Sequence, residues 1–397
     1  MKTTMTSRQR ILAACAHQPT DHVPLHLDVH PLYYQQEPAV AVWTDQFERI
    51  DRLLALGADA MVEIWLPDPT LHPEVRVRSW REERDGMVLL GKEYETPAGT
   101  LRHVIRETPD LYRWNKINGR TRGPVVRLID GLDLLQDVNP SRCVEFPVNG
   151  VQDLPKLRYL FQPNRGEALA RWRADALYAR REAERRRVAL IARRTFCGSA
   201  WMWLTDVQES MLTYESQPEY VSEFLNIIQA WQKTNLEQVL DIGVDIVTRF
   251  GYYDTPDFWG RRYFERYLKP LMDEEAAIVH QAGALLSQQQ SEGLTRLVDV
   301  YRTMKVDILR DVDPVQGGED LAVLKRELGA SKTLMGGING DLFLAKASAD
   351  EIDDWVRRLL ELVSPGGGFI GHVTPGIYPG VPWKNVLSLV SAWQKYA

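Results

Sequence analysis

The sequence predicts one α/β chain, residues 1–397, folded as a single (β/α)8 TIM barrel with an antiparallel hairpin insertion after the second barrel strand, residues 75–106. Three observations carry that expectation. Eight short β-rich runs are spaced along the chain, helical patterns separate most of them, and one segment interrupts the rhythm with alternating runs divided by turn signals. A barrel with insertions reaches this length as one unit, so length alone does not demand a second domain.

The runs are His22–Asp28 (HVPLHLD), Asp59–Trp65 (DAMVEIW), Val188–Thr195 (VALIARRT), Val244–Phe250 (VDIVTRF), Ala284–Gln289 (ALLSQQ), Val306–Asp311 (VDILRD), Thr333–Ile338 (TLMGGI) and Phe369–Val373 (FIGHV). The clearest helix, PEYVSEFLNIIQAWQKTNLEQVLDIG, has apolar residues at spacings of three and four and a stop signal at Gly243 just before a strand. The same succession recurs in LVDVYRTMK before VDILRD, DLAVLKRELG before TLMGGI, and ADEIDDWVRRLLELVSPGGG before FIGHV. The insertion, Val75–Arg106, carries turn signals at Asp85-Gly86 and Pro97-Ala98-Gly99. Arg165–Arg187 is rich in Arg with Glu and Asp interspersed, which reads as a solvated helix face.

Composition narrows the function. With 12 Trp, 15 Tyr and a charged fraction of 26%, the chain can build a core and is not a disordered polyelectrolyte. A net charge of -6 gives no attraction for nucleic acid or an anionic membrane, and no apolar run reaches the roughly 20 residues of a membrane span. The N-terminus lacks the apolar stretch of a secretory signal, so a cytoplasmic location is expected. Cys15, Cys143 and Cys197 form no CxxC pair, which points away from a disulfide framework.

Active sites of such barrels lie at the C-terminal ends of the strands, and the residues there are polar and aromatic. The ends supply His26, Asp28 and His30; Glu63, Trp65 and Asp68; Cys197, Trp201, Trp203 and Asp206; Arg249, Tyr252, Tyr253 and Asp254; Gln288, Gln289, Gln290 and Glu292; Arg310, Asp311 and Asp313; Asn339, Asp341, His372 and Tyr378. His26, Asp28 and His30 alternate, so an extended strand shows all three on one face. Glu63 stands in an otherwise apolar strand, where a carboxylate must be paired or protonated. The expected catalytic groups are Glu63, His26, Asp206 and Asp254. Expected substrate contacts are Trp65, Trp201, Trp203, Arg249, Tyr252, Tyr253, Gln288, Gln290, Arg310, His372 and Tyr378; aromatic faces suit flat or cationic groups, and the guanidinium fork suits a carboxylate or phosphate. Gly336-Gly337 and Gly366-Gly367-Gly368 lack a nucleotide-loop lysine and read as tight turns.

Several segments, in order, resemble the uroporphyrinogen decarboxylase superfamily, which includes the cobalamin- or corrinoid-linked methyltransferases: SRQRILAACAHQPTDHVPLHLD, FCGSAW (Phe196–Trp201), ESQPEYVSEFL, GVDIV, YFERYLKPLMDEEAAIVHQAGA, DVDPVQGGEDLAVLKRELG, TLMGGIN and GGGFIGHVTPGIYPGVPWKNVLSLVSAW. The resemblance spans nearly the whole chain. It implies a (β/α)8 barrel and, on the methyltransferase side, transfer of a methyl group from a small methylated substrate to a thiol or to a corrinoid. No DxHxxG motif is present, so a corrinoid would come on a partner protein. The branch's HxC zinc motif is replaced by SQQQSEG (Ser287–Gly293), so the family zinc site is absent, although His26, His30, His372 or Glu63 leave another metal open. The decarboxylase's N-terminal arginine motif is missing and Asp206 stands at its tyrosine. Proton donors for methyl transfer are Glu63, Asp254 or His26. Two alternatives remain open: a metal-independent decarboxylase or lyase, with Arg249 or Arg310 holding a carboxylate and Asp206 protonating the product carbon, and a non-catalytic ligand-binding barrel. The expected partners are a small molecule, a corrinoid protein and a second copy in a homodimer.

Overall fold

A computed structural model describes residues 4–30, 33, 45–67, 69–108, 140–195 and 198–397. Asp68, Phe196 and Cys197, named above, lie outside them. Eight strands form one parallel sheet: β1 (Leu25–His26), β2 (Met61–Trp65), β7 (Ala189–Thr195), β8 (Ile246–Phe250), β9 (Leu285–Gln289), β10 (Ile308–Val312), β11 (Thr333–Asn339) and β12 (Phe369–Thr374). Their order, β1-β12-β11-β10-β9-β8-β7-β2, puts the first strand in sequence beside the last. A parallel bridge between His26 and Asp59, with the Asp59 N–H donating to the Leu25 carbonyl at 2.7 Å, joins the two edges of the sheet. This curled sheet is consistent with a (β/α)8 barrel. β1 has only two residues where seven were expected; Pro24 brings no N–H to the ladder, although its carbonyl accepts from Gly371.

The insertion makes a sheet of its own. Strands β3 (Arg76–Arg84), β4 (Met87–Thr96) and β5 (Gly99–Arg106) turn at the expected places, and β6 (Cys143–Glu145), from outside the expected segment, pairs with β5. The Arg-rich stretch is the helix Gly166–Arg186, whose exposed face carries Arg–Glu pairs such as Arg180–Glu184. Gly336 and Gly337 do not form a turn; both lie inside β11.

The floor of the sheet is closed by α1 (Ser7–Cys15), which starts from a capping box between Thr6 and Gln9. Its Ile11 and Ala14 pack with Met61, Ala189, Ile191, Ile246, Ile308, Met335 and Ile370 on the inner face of the strands. Arg10 anchors the helix to the strand ends, donating to Asp21 at 2.6 Å and to buried Asp59 at 2.5 Å. Because side chains alternate along a strand, the residue two beyond each of these apolar groups faces the same way, nearer the C-terminal end. Counted from Met61, Ile191, Ile246, Ile308 and Ile370, those residues are Glu63, Arg193, Thr248, Arg310 and His372. The apolar floor thus carries a polar layer above it.

Truncating the floor tests this packing. Ile11→Ala leaves a cavity among six or more strands' side chains and should lower stability by about 2–5 kcal/mol, seen as a lower urea midpoint with secondary structure unchanged before the transition.

Candidate functional site: a charged cluster at the strand C-terminal ends

The polar layer is cross-linked between strands. Asp28, just past β1, accepts at Oδ2 from Arg310 Nη2 at 3.0 Å and from Arg193 Nη1 at 3.3 Å; Arg193 Nη1 also donates to Glu63 Oε1 at 2.9 Å. The Arg193 guanidinium lies over Trp65, 5.5 Å from its ring centroid. Beside this ion cluster runs a chain of titratable groups. His26 Nδ1 and His372 Nδ1 are 3.2 Å apart, and His372 Nε2 is 3.0 Å from Asp311 Oδ1. The Tyr252 hydroxyl donates to Asp311 Oδ2 at 2.6 Å, and the Gln289 amide donates to the same oxygen at 2.8 Å and to Tyr252 at 2.9 Å. His30 and Tyr378 face each other, with ring centroids 4.7 Å apart.

Asp311 reaches this position through a local irregularity. The register between β10 and β11 shifts between Arg310 and Val312, and Asp311 has a φ of 67°, in the left-handed region. Arg310 and Asp311, adjacent in sequence, therefore both face the cluster. The partner strand makes room with Gly336, where a Cβ would come within 2.3 Å of the Val312 carbonyl oxygen.

Burial and neighbouring charges pull these groups in opposite directions. Burial pushes the Asp28 carboxyl up, but Arg193, Arg310 and Arg49 outweigh it and hold it well below the usual carboxylate range. Burial likewise raises Asp311, and the hydrogen bond and charge of His372, with Arg310 and Tyr252, bring it below its ordinary value. Burial together with His372 and Arg310 pushes His26 well below the ordinary imidazole value, so it stays neutral. Burial first, and then Asp311, raises the Tyr252 hydroxyl, which remains a donor. Tyr378 is raised mainly by burial.

The cluster gathers His26, Glu63, Trp65, Tyr252, Arg310 and His372 from the expected set, with His30 and Tyr378 alongside. The other expected residues are placed elsewhere, and strand parity is the reason for three of them. Arg249, Gln288 and Gln290 are out of phase with the inward positions Thr248 and Gln289. Arg249 is fully buried, with bonds to Gln288 at 3.1 Å, Asp254 at 3.2 Å and Glu275 at 2.6 Å. Gln290 accepts from Tyr301 at 2.5 Å. Asp254 belongs to the Arg249 ion group, where burial raises its carboxyl and Arg249 only partly offsets this. Asp206 caps the helix Val207–Ser216, accepting from the N–H groups of Gln208 and Glu209. Trp201 packs among Tyr214, Tyr220 and Phe224 in the core, and Trp203 and Tyr253 pack on each other, with Trp203 also against Phe250. Arg193 was not named at all, and Asp28, Gln289 and Asp311 were named at strand ends but not as catalytic groups or substrate contacts; counting every second residue from Ile191 and from Ser287 identifies Arg193 and Gln289.

Among the described residues no group of three or more His, Cys, Asp or Glu side chains is arranged to hold a metal ion. In the stretch that replaces the family's zinc motif, Gln289 spends its amide on Asp311 and Tyr252, and Ser287 offers only a buried hydroxyl. These groups do not fit a thiolate zinc site. The alternative set is also dispersed, since His26 and His372 meet each other while His30 stands against Tyr378.

A parallel α/β sheet carrying a buried charged cluster at its strand C-terminal ends defines the class of protein. Residues 144–396 match the model of the family described as Uroporphyrinogen decarboxylase (URO-D), and the chain belongs to that family. Its fold is similar to that of a methyltransferase from Methanosarcina mazei, with a TM-score of 0.63, 15% identity and 99% of each chain covered. A B12-independent methionine synthase from Shewanella sp. W3-18-1, solved with selenomethionine, is 11% identical over 64% of this chain and 70% of its own, with a TM-score of 0.39. No curated protein matches the chain. Among the described residues no helix is long and apolar enough to cross a membrane.

Two measurements check the electrostatics. The folded state keeps His26 neutral while the unfolded chain protonates it below pH of about 6.5, so stability is present above that pH and declines as pH falls. His26→Asn should make the fall in urea midpoint between about pH 6.5 and 5 shallower. Arg249→Met leaves Asp254 and Glu275 buried without a cation and should cost about 3–5 kcal/mol; adding Asp254→Asn and Glu275→Gln should recover most of that loss in the same denaturation experiment.

Proposed function

We propose that the chain is an enzyme of methyl transfer, moving a methyl group from a small methylated substrate to a thiol or to a corrinoid carried by a partner protein. One observation carries the reading: the buried chain His26–His372–Asp311–Tyr252 stands beside paired arginines at the end of the sheet where such folds do their chemistry. Membership of the family, and the full-length likeness in fold to a methyltransferase, support it.

In this reading the acceptor's electron pair forms a bond to the methyl carbon, the bond from carbon to the leaving heteroatom breaks, and the heteroatom keeps that bonding pair. It then takes a proton from Nε2 of His26, the ring nitrogen turned away from His372, and His26 recovers one at Nδ1 from His372 across their 3.2 Å contact. Asp311 lies 3.0 Å from His372 Nε2 and orients the ring, as a buried carboxylate does for a catalytic histidine. Tyr252 and Gln289 hold Asp311 in place from the other side. The reduced corrinoid or thiolate, when present, supplies the attacking electron pair. Burial excludes water from the proton path and strengthens each of these contacts.

The test follows the methyl group. The full chain is incubated with carbon-13-labelled methyl ethers, thioethers and methylamines, with 2-mercaptoethanol or chemically reduced cobalamin as acceptor, and the label is followed by NMR. The label should move to an acceptor, and His372→Asn or Asp311→Asn should slow transfer by about 10²–10⁴. Unchanged rates in both variants would remove His372 from the proton step. Failure of every donor, together with release of labelled CO2 from small carboxylated substrates, would replace this reading with the decarboxylase.

A further inference from the structure

Arg193 has unspent hydrogen-bonding capacity. Only its Nη1 is engaged, with Glu63 and Asp28, while its Nε and Nη2 make no hydrogen bond to a described residue. Arg310 gives Nη2 to Asp28, and its buried Nε has no hydrogen-bond partner among the described residues. Two guanidiniums therefore converge on one oxygen of one carboxylate, at 3.0 and 3.3 Å. Charge-assisted bonds between these groups are ordinarily about 2.7–2.9 Å and often paired fork to fork. Asp28 is a poor occupant of a good carboxylate site. Its backbone is held, since its carbonyl accepts from the Ile377 N–H at 2.8 Å, but its side chain is 17% exposed and can turn.

We propose that Arg193 and Arg310 form a subsite for a carboxylate on the substrate, and that Asp28 fills it as an internal stand-in until the substrate arrives. The inference rests on the strand-end cluster being the substrate site, as in the methyl-transfer reading, and it names the substrate class for that site. Exchange, not addition, is required. Asp28, Glu63 and Asp311 already face two arginines, so a further anion enters only if Asp28 leaves. The Trp65 ring supports the Arg193 plane, which holds its fork open for a planar, two-oxygen group. The incoming carboxylate would take the open edge of Arg193 and the Arg310 Nη2 that Asp28 gives up.

The test uses benzoate as the carboxylate probe and benzamide as its neutral counterpart, with calorimetric titration and thermal unfolding of the full chain. Benzoate should bind and benzamide should not. Arg193→Lys keeps the charge but loses the fork, and should weaken benzoate by about tenfold or more. Asp28→Asn removes the competing charge and should tighten benzoate by a similar factor; benzoate should then raise its unfolding temperature more than that of the natural chain. The proposal is overturned if benzoate and benzamide bind alike, if Arg193→Lys binds as the natural chain does, or if Asp28→Asn weakens benzoate. A chain that shows the expected binding but moves no methyl group keeps the subsite and loses the methyl-transfer reading. A chain that demethylates uncharged donors, unaffected by benzoate or by Arg193→Lys, keeps methyl transfer and loses the subsite.

Discussion

Polar groups on the inner face of a curled parallel sheet have no water to turn to, and every charge placed there must find its partner on another strand. Each ion withdrawn from water costs several kcal/mol even after relaxation, and only close, oriented counter-charges offset that. The inner face meets this constraint in two layers. Below, Met61, Ile191, Ile246, Ile308 and Ile370 pack against Ile11 of the first helix and need no partners. Above, Glu63, Arg193, Arg310, Asp28, Asp311 and His372 come from five strands or their ends and pair with one another, with Tyr252 and Gln289 on Asp311 and His26 on His372.

The bulge at Asp311 follows from the same constraint. A regular strand would turn Asp311 away from Arg310's face; a left-handed residue costs about 1–3 kcal/mol, and it buys a carboxylate beside His372 and Tyr252. The neighbouring β11 accommodates the kink with Gly336, which lets the two backbones approach closely, while its neighbour Gly337 makes room for the Leu359 and Phe369 side chains. Strain, paired charge and a neutral buried histidine coincide at one end of the sheet, which is where a shifted protonation state has chemical use.

Much of the architecture was legible in the residues. All eight barrel strands were placed by their β-rich composition, and the hairpin turns by Asp85-Gly86 and Pro97-Ala98-Gly99, because these signals are local. The short strand Cys143–Glu145 was not legible, since three residues carry no periodicity and their pairing with Val104 and Ile105 is long-range. In the site, His26, Glu63, Arg310 and His372 were recognisable as polar residues at apolar strand ends. Arg249 looked equally suitable, yet it pairs with Asp254 and Glu275 under the helices. Asp206 looked like an acid in reserve and is a helix cap.

The sequence by itself determined the order of the strands and helices, the position of the insertion, the supply of polar residues to the strand ends and the lack of a thiolate zinc motif. The first three follow from composition and spacing within a few residues, and the last from the resemblance to the family. The tertiary structure decided which of each adjacent pair faces inward, Gln289 and not Gln288, Thr248 and not Arg249, and which charges meet. That choice depends on the register between strands hundreds of residues apart, such as His26 beside His372, and no local pattern encodes a register.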